Sequence, residues 1–300
     1  MTVPLSGYRG RIAPSPTGLL HKGHARTFHT AWKRAREAGG CILLRNDDLD
    51  HLRCRPEFVE AMIEDLKWLG LTWDEGPGCE GDFGPYEQSQ RREFYLETFH
   101  KLRETGHLYP CFCSRKYIQQ ALAAPHEGDD EPVYPGSCRD LNIGDGEGVP
   151  VKQWCRSGLS AKTADGKRHR VSWRFRVEEG REVRFQDGGF GEQVFVAGRD
   201  FGDFVVWRSD DFPAYHLAVV TDDHAMGITE VVRGEDLLRS TARQILLYEA
   251  LGWKVPEWFH CPLVRDENGE RLAKRSESKG IRVLREKGIS PEEVLLLENH

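Results

Sequence analysis

Two histidines flank a glycine in His21-Lys22-Gly23-His24, just after the extended run Arg11-Ile12-Ala13-Pro14-Ser15. Far along the chain lies a second charged string, Arg271-Leu272-Ala273-Lys274-Arg275. A His-x-Gly-His at a strand-to-helix junction can meet a nucleotide. Gly23 has no side chain to hold adenine away, and the imidazoles of His21 and His24 reach phosphates beside the N–H groups of a helix start. A late basic segment carrying Arg271 and Lys274 supplies positive charge where pyrophosphate departs. Together the two strings point to adenylate chemistry, with His21, Gly23, His24, Arg271 and Lys274 around ATP.

For the histidines to sit at such a junction, a strand must end before them and a helix must begin. Residues 9–14 and 41–45 read as strands and 24–38 as a helix between them, a β-α-β unit whose crossover makes the strands parallel. Pro56 opens an amphipathic helix carrying Phe58, Met62, Ile63, Leu66 and Leu69, closed by Gly70. A second helix is expected over 88–105, burying Tyr95, Phe99 and Leu102. From 107 to 200 the chain turns rich in Gly, Asp and Pro, with short strand-like pieces at 173–177 and 182–185, and reads as an insertion. Regular structure resumes with a strand at 204–207, a helix around 214–220, a strand at 228–232, a helix over 237–251 ended by Gly252, and a short helix near the end. The expected organisation is therefore α/β: residues 1–106 and 201–300 as two halves of one domain, with 107–200 inserted between them.

The chain has 300 residues, 30% charged and 39% hydrophobic, enough for a sizeable core. It contains no run of about 18 apolar residues, so no membrane partner is expected. The start MTVPLSGYRGRIAP shows no basic stretch followed by an apolar core, which favours the cytoplasm. A net charge of -6 gives no global attraction to RNA. Any such surface must be local, around Lys167, Arg168, Arg170, Arg174 and Arg176, or around Lys274, Arg275, Lys279, Arg282 and Arg285. Eight irregularly spaced cysteines argue for reduced thiols rather than a disulfide framework. Cys111, Cys113, Tyr134 and Cys138 offer three thiolates and a phenolate, a set that can close a tetrahedral zinc site, although spacing alone reads equally well as free buried thiols.

Joined to the upstream Arg11-x-Ala13-Pro14-Ser15-Pro16-Thr17-Gly18, the histidine motif resembles class I glutamyl-tRNA synthetases and their shortened paralogues, the glutamyl-queuosine tRNA(Asp) synthetases. Four further strings carry the resemblance. Arg45-Asn46-Asp47-Asp48-Leu49-Asp50 with Arg53 is similar to the family's Arg-Ile-Glu-Asp-x-Asp-x-x-Arg, with Asp47 one methylene shorter than the usual Glu. Tyr215-His216-Leu217-Ala218-Val219-Val220-Thr221-Asp222-Asp223 and Val232-Arg233-Gly234-Glu235-Asp236 match two more blocks. RLAKR stands where the family has Lys-Leu-Ser-Lys, with Arg271 for the first lysine and Ala273 for the serine.

The resemblance implies a Rossmann-like class I aminoacyl-tRNA synthetase catalytic domain with a small zinc-containing insertion. It places Arg11, Ser15, Asp47, Tyr215 and Arg233 around L-glutamate, with Asp47 on the α-ammonium. Glutamate has two carboxylates, so a selective pocket presents two separated cations; Arg11 and Arg233 qualify, with Tyr215 and Ser15 donating hydrogen bonds. The paralogues' Cys-x-Cys, Tyr-x-x-x-Cys pattern implies a structural Zn²⁺ held by Cys111, Cys113, Tyr134 and Cys138, four protein ligands leaving no open position. The implied chemistry joins glutamate to ATP, with Mg²⁺, while His21, His24 and Lys274 stabilise phosphate charge. Only about 25 residues follow Arg275, so no anticodon-binding domain is expected. That favours the paralogue branch: activation without tRNA, then transfer to the queuosine base in the anticodon loop of tRNA(Asp), bound by shape and phosphate contacts by a monomer. Three alternatives stay open: a truncated enzyme charging a tRNA 3′ end, a non-catalytic RNA-binding relative, and a small-molecule nucleotidyltransferase.

Overall fold

The computed structural model describes residues 7–113, 133–140, 151–154, 160–163, 168–264 and 280–296. Arg271, Ala273 and Lys274 lie outside the described residues, as does Cys155.

The β-α-β unit forms as expected: β1 (Arg9–Ile12), α1 (Lys22–Glu37) and β2 (Cys41–Leu44), with β1 and β2 parallel and Arg11 opposite Leu43. Every residue of both strands is buried, as a parallel strand covered on both faces requires. β1 ends two residues earlier than the sequence suggests, because Ala13-Pro14 leaves the sheet and turns toward α1. α2 (Pro56–Trp68) and α3 (Arg92–Glu104) follow. The expected helix over 88–105 is split, with a single 3-10 turn at Gln88–Gln90 before α3. Arg91 stands at that break, its guanidinium donating to the carbonyls of Phe83 and Pro85 and to Asp222.

Then come β3 (Leu108–Cys111), a backbone meander of β4 (Val151–Trp154), β5 (Ser160–Thr163) and β6 (Arg168–Arg170), and β7 (Ser172–Phe175). β8 (Glu182–Asp187) and β9 (Gly191–Val196) form a hairpin, and β10 (Phe204–Trp207) pairs with β7, which pairs with β3. The chain closes with α4 (Tyr215–Ala225), β11 (Glu230–Gly234), α5 (Leu238–Leu251), β12 (Glu257–Cys261), α6 (Ile281–Glu286) and α7 (Pro291–Leu296). α4 runs one and a half turns past the expected 214–220. Its Asp222 and Asp223 look like helix-ending polar residues in sequence, yet both are buried within it. α5 stops at Gly252, whose φ of 65° is the left-handed conformation glycine adopts without strain.

β12 pairs in parallel with β11 on one side and, at Trp258 opposite Asp187, with β8 on the other. β1 runs alongside β11, where the Thr229 N–H donates to the Arg9 carbonyl at 2.9 Å. The strand order is thus β2-β1-β11-β12-β8-β9, and the segment from 182 to 196 contributes a hairpin to the central sheet. Period-two alternation divides the core. Leu43, Val231 and Trp258 face α3, α4 and α5 with Phe99, Trp207 and Leu217. Ile42, Leu44 and Val232 face α1, α2 and the last two helices with Phe28, Leu66, Ile281 and Val294. Helices on both faces of a mostly parallel sheet make the doubly wound, Rossmann-like architecture. Among the described residues no helix is long and apolar enough to cross a membrane.

Candidate active site

In an open parallel sheet, ligands bind beyond the carboxyl ends of the strands. Here those ends deliver Arg11 from β1, Arg45 and Asp47 after β2, Arg233 from β11, His260 from β12 and Asp187 from β8.

His21 is the N-cap of α1, and the cap is built from imidazoles. His21 Nδ1 accepts the Gly23 N–H at 3.1 Å, and His24 Nδ1 accepts the His21 N–H at 3.2 Å. This reciprocal arrangement has the logic of a capping box. The rings stack with centroids 3.7 Å apart. Because each Nδ1 is an acceptor, the neutral rings carry their protons on Nε2, so both histidines offer an N–H edge suited to phosphate oxygens. A Cβ at Gly23 would sit 3.0 Å from the His21 ring, so glycine is what lets the stacked pair close over the helix start. Val264 follows β12, and Gly280 bridges to His21, with the Ile281 N–H on the Leu20 carbonyl at 3.0 Å. Gly280, the first described residue after Val264, therefore lies beside the histidine pair.

Behind this turn lies a buried charge network. Arg45, fully buried, donates to Asp47 and to Asp223, each at 2.7 Å. Arg11 donates to Asp223 at 3.4 Å and to the Val232 carbonyl at 3.1 Å. Asp222 accepts from Arg91 at 2.6 Å, Gln88 at 2.7 Å and Tyr95 at 2.9 Å. Burial pushes Asp47 up to about 6 despite the guanidinium beside it, so its carboxylate is one that a further cation would stabilise. Asp223 Oδ2 is buried and accepts no hydrogen bond among the described residues.

Arg233 stands apart. It donates to Gln244 Oε1 at 2.8 Å, Thr241 Oγ1 at 2.6 Å, His260 Nε2 at 3.1 Å, the Leu237 carbonyl at 3.3 Å and the Tyr215 hydroxyl at 3.5 Å. All of these acceptors are neutral. Its guanidinium also lies 4.9 Å from the Trp258 ring centre. Burial and the like charge of Arg11 lower its pKa. Arg11, Arg45 and Arg91 are matched by Asp47, Asp222 and Asp223, whereas Arg233 has no carboxylate in salt-bridge contact among the described residues. Tyr215, which touches Arg233, is 41% exposed, and Ser15 is exposed on the loop after β1.

The expected glutamate residues thus fall into two groups: Arg11 and Asp47 share the Arg45–Asp223 network, and Tyr215 and Arg233 touch each other. Among the described residues no side-chain hydrogen bond joins Ser15 to either group. Sequence reasoning missed Arg45, Arg91, Asp222, Asp223, Asp187 and His260 as parts of the site. An Asp-Asp pair just after the apolar run Leu217–Val220 is the available signal, since two buried carboxylates demand buried cations.

The cysteine cluster lies elsewhere, where β3 meets the 133–140 segment. The Sγ atoms of Cys111, Cys113 and Cys138 lie within 4.8 Å of one another, and the Tyr134 hydroxyl is 3.4 Å from both Cys111 and Cys113. Arg174 donates to Cys111 Sγ at 3.4 Å and stacks on Tyr134. Hydrogen bonds from Cys138 and Tyr134, with Arg174 beside them, bring the Cys111 thiol down to about 4.

Residues 8–297 match the family described as tRNA synthetases class I (E and Q), catalytic domain. The chain is 47% identical over 281 residues to the glutamyl-Q tRNA(Asp) synthetase of Nitratidesulfovibrio vulgaris, covering 94% of this chain and 82% of that protein. It is likewise 47% identical over 287 residues to the enzyme of the same name from Symbiobacterium thermophilum, covering 95% and 84%. A solved glutamate tRNA ligase from Elizabethkingia meningosepticum, in complex with its amino acid, superposes with a TM-score of 0.71 at 30% identity, over 91% of this chain and 53% of that one. The chain spans about half the length of that ligase. It belongs to the class I tRNA synthetases of the E and Q group, ligases of the aminoacyl-tRNA synthetase type.

Proposed function

We propose that the protein condenses L-glutamate with ATP and transfers the glutamyl group to the queuosine base in the anticodon loop of tRNA(Asp). The observation that carries the amino-acid assignment is the buried charge pattern among the described residues: Arg233 with only neutral partners there suits the side-chain carboxylate, while Asp47 and the open Asp223 Oδ2 suit the ammonium. Arg11 and Tyr215 complete the pocket, and Ser15 borders it. The α-carboxylate attacks the α-phosphorus of ATP, and pyrophosphate leaves. The Nε2–H edges of His21 and His24 donate hydrogen bonds to the phosphate oxygens, helped by the α1 N-terminus and by the positive charge of Lys274 and Arg271. Mg²⁺ accompanies ATP as substrate. The queuosine acceptor is supported by the 47% identity to two relatives so named, over 94% and 95% of this chain. tRNA as substrate implies work in the cytoplasm, and nothing in the proposed site calls for a second subunit.

The cysteine cluster is proposed to hold a structural zinc. Tetrahedral Zn–S bonds of about 2.3 Å put sulfurs ~3.8 Å apart, and Cys113 and Cys138 Sγ already lie 3.5 Å apart with Tyr134 in reach. Arg174 then offsets the thiolate charge. Zinc analysis of protein purified without chelator should find one equivalent per chain, and Cys138→Ser should abolish it; metal-free wild type would contradict the site.

The acceptor is tested with labelled glutamate, ATP and tRNA(Asp) with or without queuosine, the label being mapped by nuclease digestion. Label in the anticodon fragment of the queuosine-containing tRNA alone is expected. Label at the 3′ terminus, or equal labelling without queuosine, refutes the assignment.

A further inference from the structure

The pair Asp187–His260 is absent from the adenylation chemistry above, yet it is a fully buried titratable pair in contact with Arg233, at 1% and 0% exposure. Asp187 ends β8 and is held from several sides. Its Oδ1 accepts the N–H groups of Gly189 and Phe190 at 2.9 Å and that of His260 at 3.2 Å, and its Oδ2 meets His260 Nδ1 at 2.6 Å. The turn is specific to glycine: a Cβ at Gly189 would come within 2.1 Å of the His260 carbonyl oxygen. The other ring nitrogen, Nε2, faces the Arg233 Nε–H, which can only donate. The tautomer is therefore fixed, with Nδ1–H toward Asp187 and an unprotonated Nε2 toward Arg233.

We propose that Asp187 and His260 are positioning residues for the amino-acid pocket: His260 stands as a neutral spacer that orients the Arg233 guanidinium while keeping a buried carboxylate from pairing with it. The inference rests on Arg233 receiving the substrate side-chain carboxylate. A carboxylate in direct contact with Arg233 would compete with that ligand, because a bidentate Arg–carboxylate pair is among the strongest polar contacts. An imidazole at the same place fixes the planar fork and leaves its charge unpaired. Gln244 and Thr241, also neutral and buried, do the same from α5.

Glutamate-dependent ATP–pyrophosphate exchange in the whole protein separates the possibilities. His260→Ala should raise the KM for glutamate at least tenfold and leave the KM for ATP within twofold. It should also narrow the preference for glutamate over glutamine, which a merely loosened fold would not do. His260→Gln, which returns a neutral polar group near the Nε2 position, should recover part of the loss. Should His260→Ala not fold, Asp187→Asn carries the same test, with the glutamate KM raised and the ATP KM unchanged. An unchanged glutamate KM in these variants overturns the spacer role. Absence of exchange in the wild type would instead overturn the functional reading.

Discussion

The nucleotide end and the amino-acid end of this site are built on opposite plans. His21, Gly23 and His24 form a self-contained turn, whose hydrogen bonds span two and three residues and whose geometry follows from starting a helix. The amino-acid end is assembled from β1, β2, β8, β11, β12, α3 and α4, through ion pairs such as Arg45–Asp223 and Arg91–Asp222. A local device tolerates change elsewhere in the fold. A distributed one holds its geometry only when the whole sheet is in register.

The contrast is broken most sharply at Arg233. Arg233→Lys keeps a cation but loses the planar fork, and a charge-assisted contact worth about 2–3 kcal/mol predicts a glutamate KM raised roughly 100-fold with the ATP KM unchanged. Steady-state exchange kinetics check this, and a lysine variant with normal glutamate KM would remove Arg233 from the pocket.

Acid should act next, at His260 in the amino-acid end. Burial pushes His260 down to about 4 from an ordinary value near 6.5, so the folded state binds its proton more weakly than the unfolded chain. The stability this neutral ring contributes is full above about 6.5 and falls as pH drops toward 4, by on the order of 3 kcal/mol. Asp187, whose pKa is lowered by His260 and backbone N–H groups against the opposing effect of burial, loses its contribution in the same direction at still lower pH. Urea unfolding between pH 7 and 4 measures the slope, and His260→Gln should flatten it.

The smallest effect belongs to the helix cap. His21→Ala removes the side-chain acceptor and should cost about 1 kcal/mol of stability, whereas His21→Asn keeps a capping oxygen and should cost little. Both should slow adenylate formation about tenfold or more, because both lose the Nε2–H edge. Equal rates in His21→Asn and wild type would mean that the ring serves only the helix.

These two plans also explain what was legible in the sequence. Runs such as Cys41–Leu44 announce buried parallel strands by composition, and the His-x-Gly-His turn announces itself by spacing. Tyr215 and Arg233 were found through family motifs, and they do touch. Arg45 and Asp223, distant in the chain, become partners only when β2 and α4 are brought together. His260 and the strand β12 that carries it went unread, because the meaning of the residue comes from Asp187 at the end of a β-hairpin that the sequence presents as part of an insertion. The stop assigned at Val220 failed for the same reason, since Asp222 and Asp223 are tolerable within α4 only beside Arg45 and Arg91.

The central claim is that a dicarboxylic amino acid is discriminated by the buried Arg233 guanidinium, which has no carboxylate in contact among the described residues. Pyrophosphate exchange measured without tRNA, with glutamate, glutamine and aspartate compared at equal concentration, tests it directly. The account predicts exchange with glutamate and little or none with the other two; no exchange with glutamate, or equal exchange with glutamine, would contradict it.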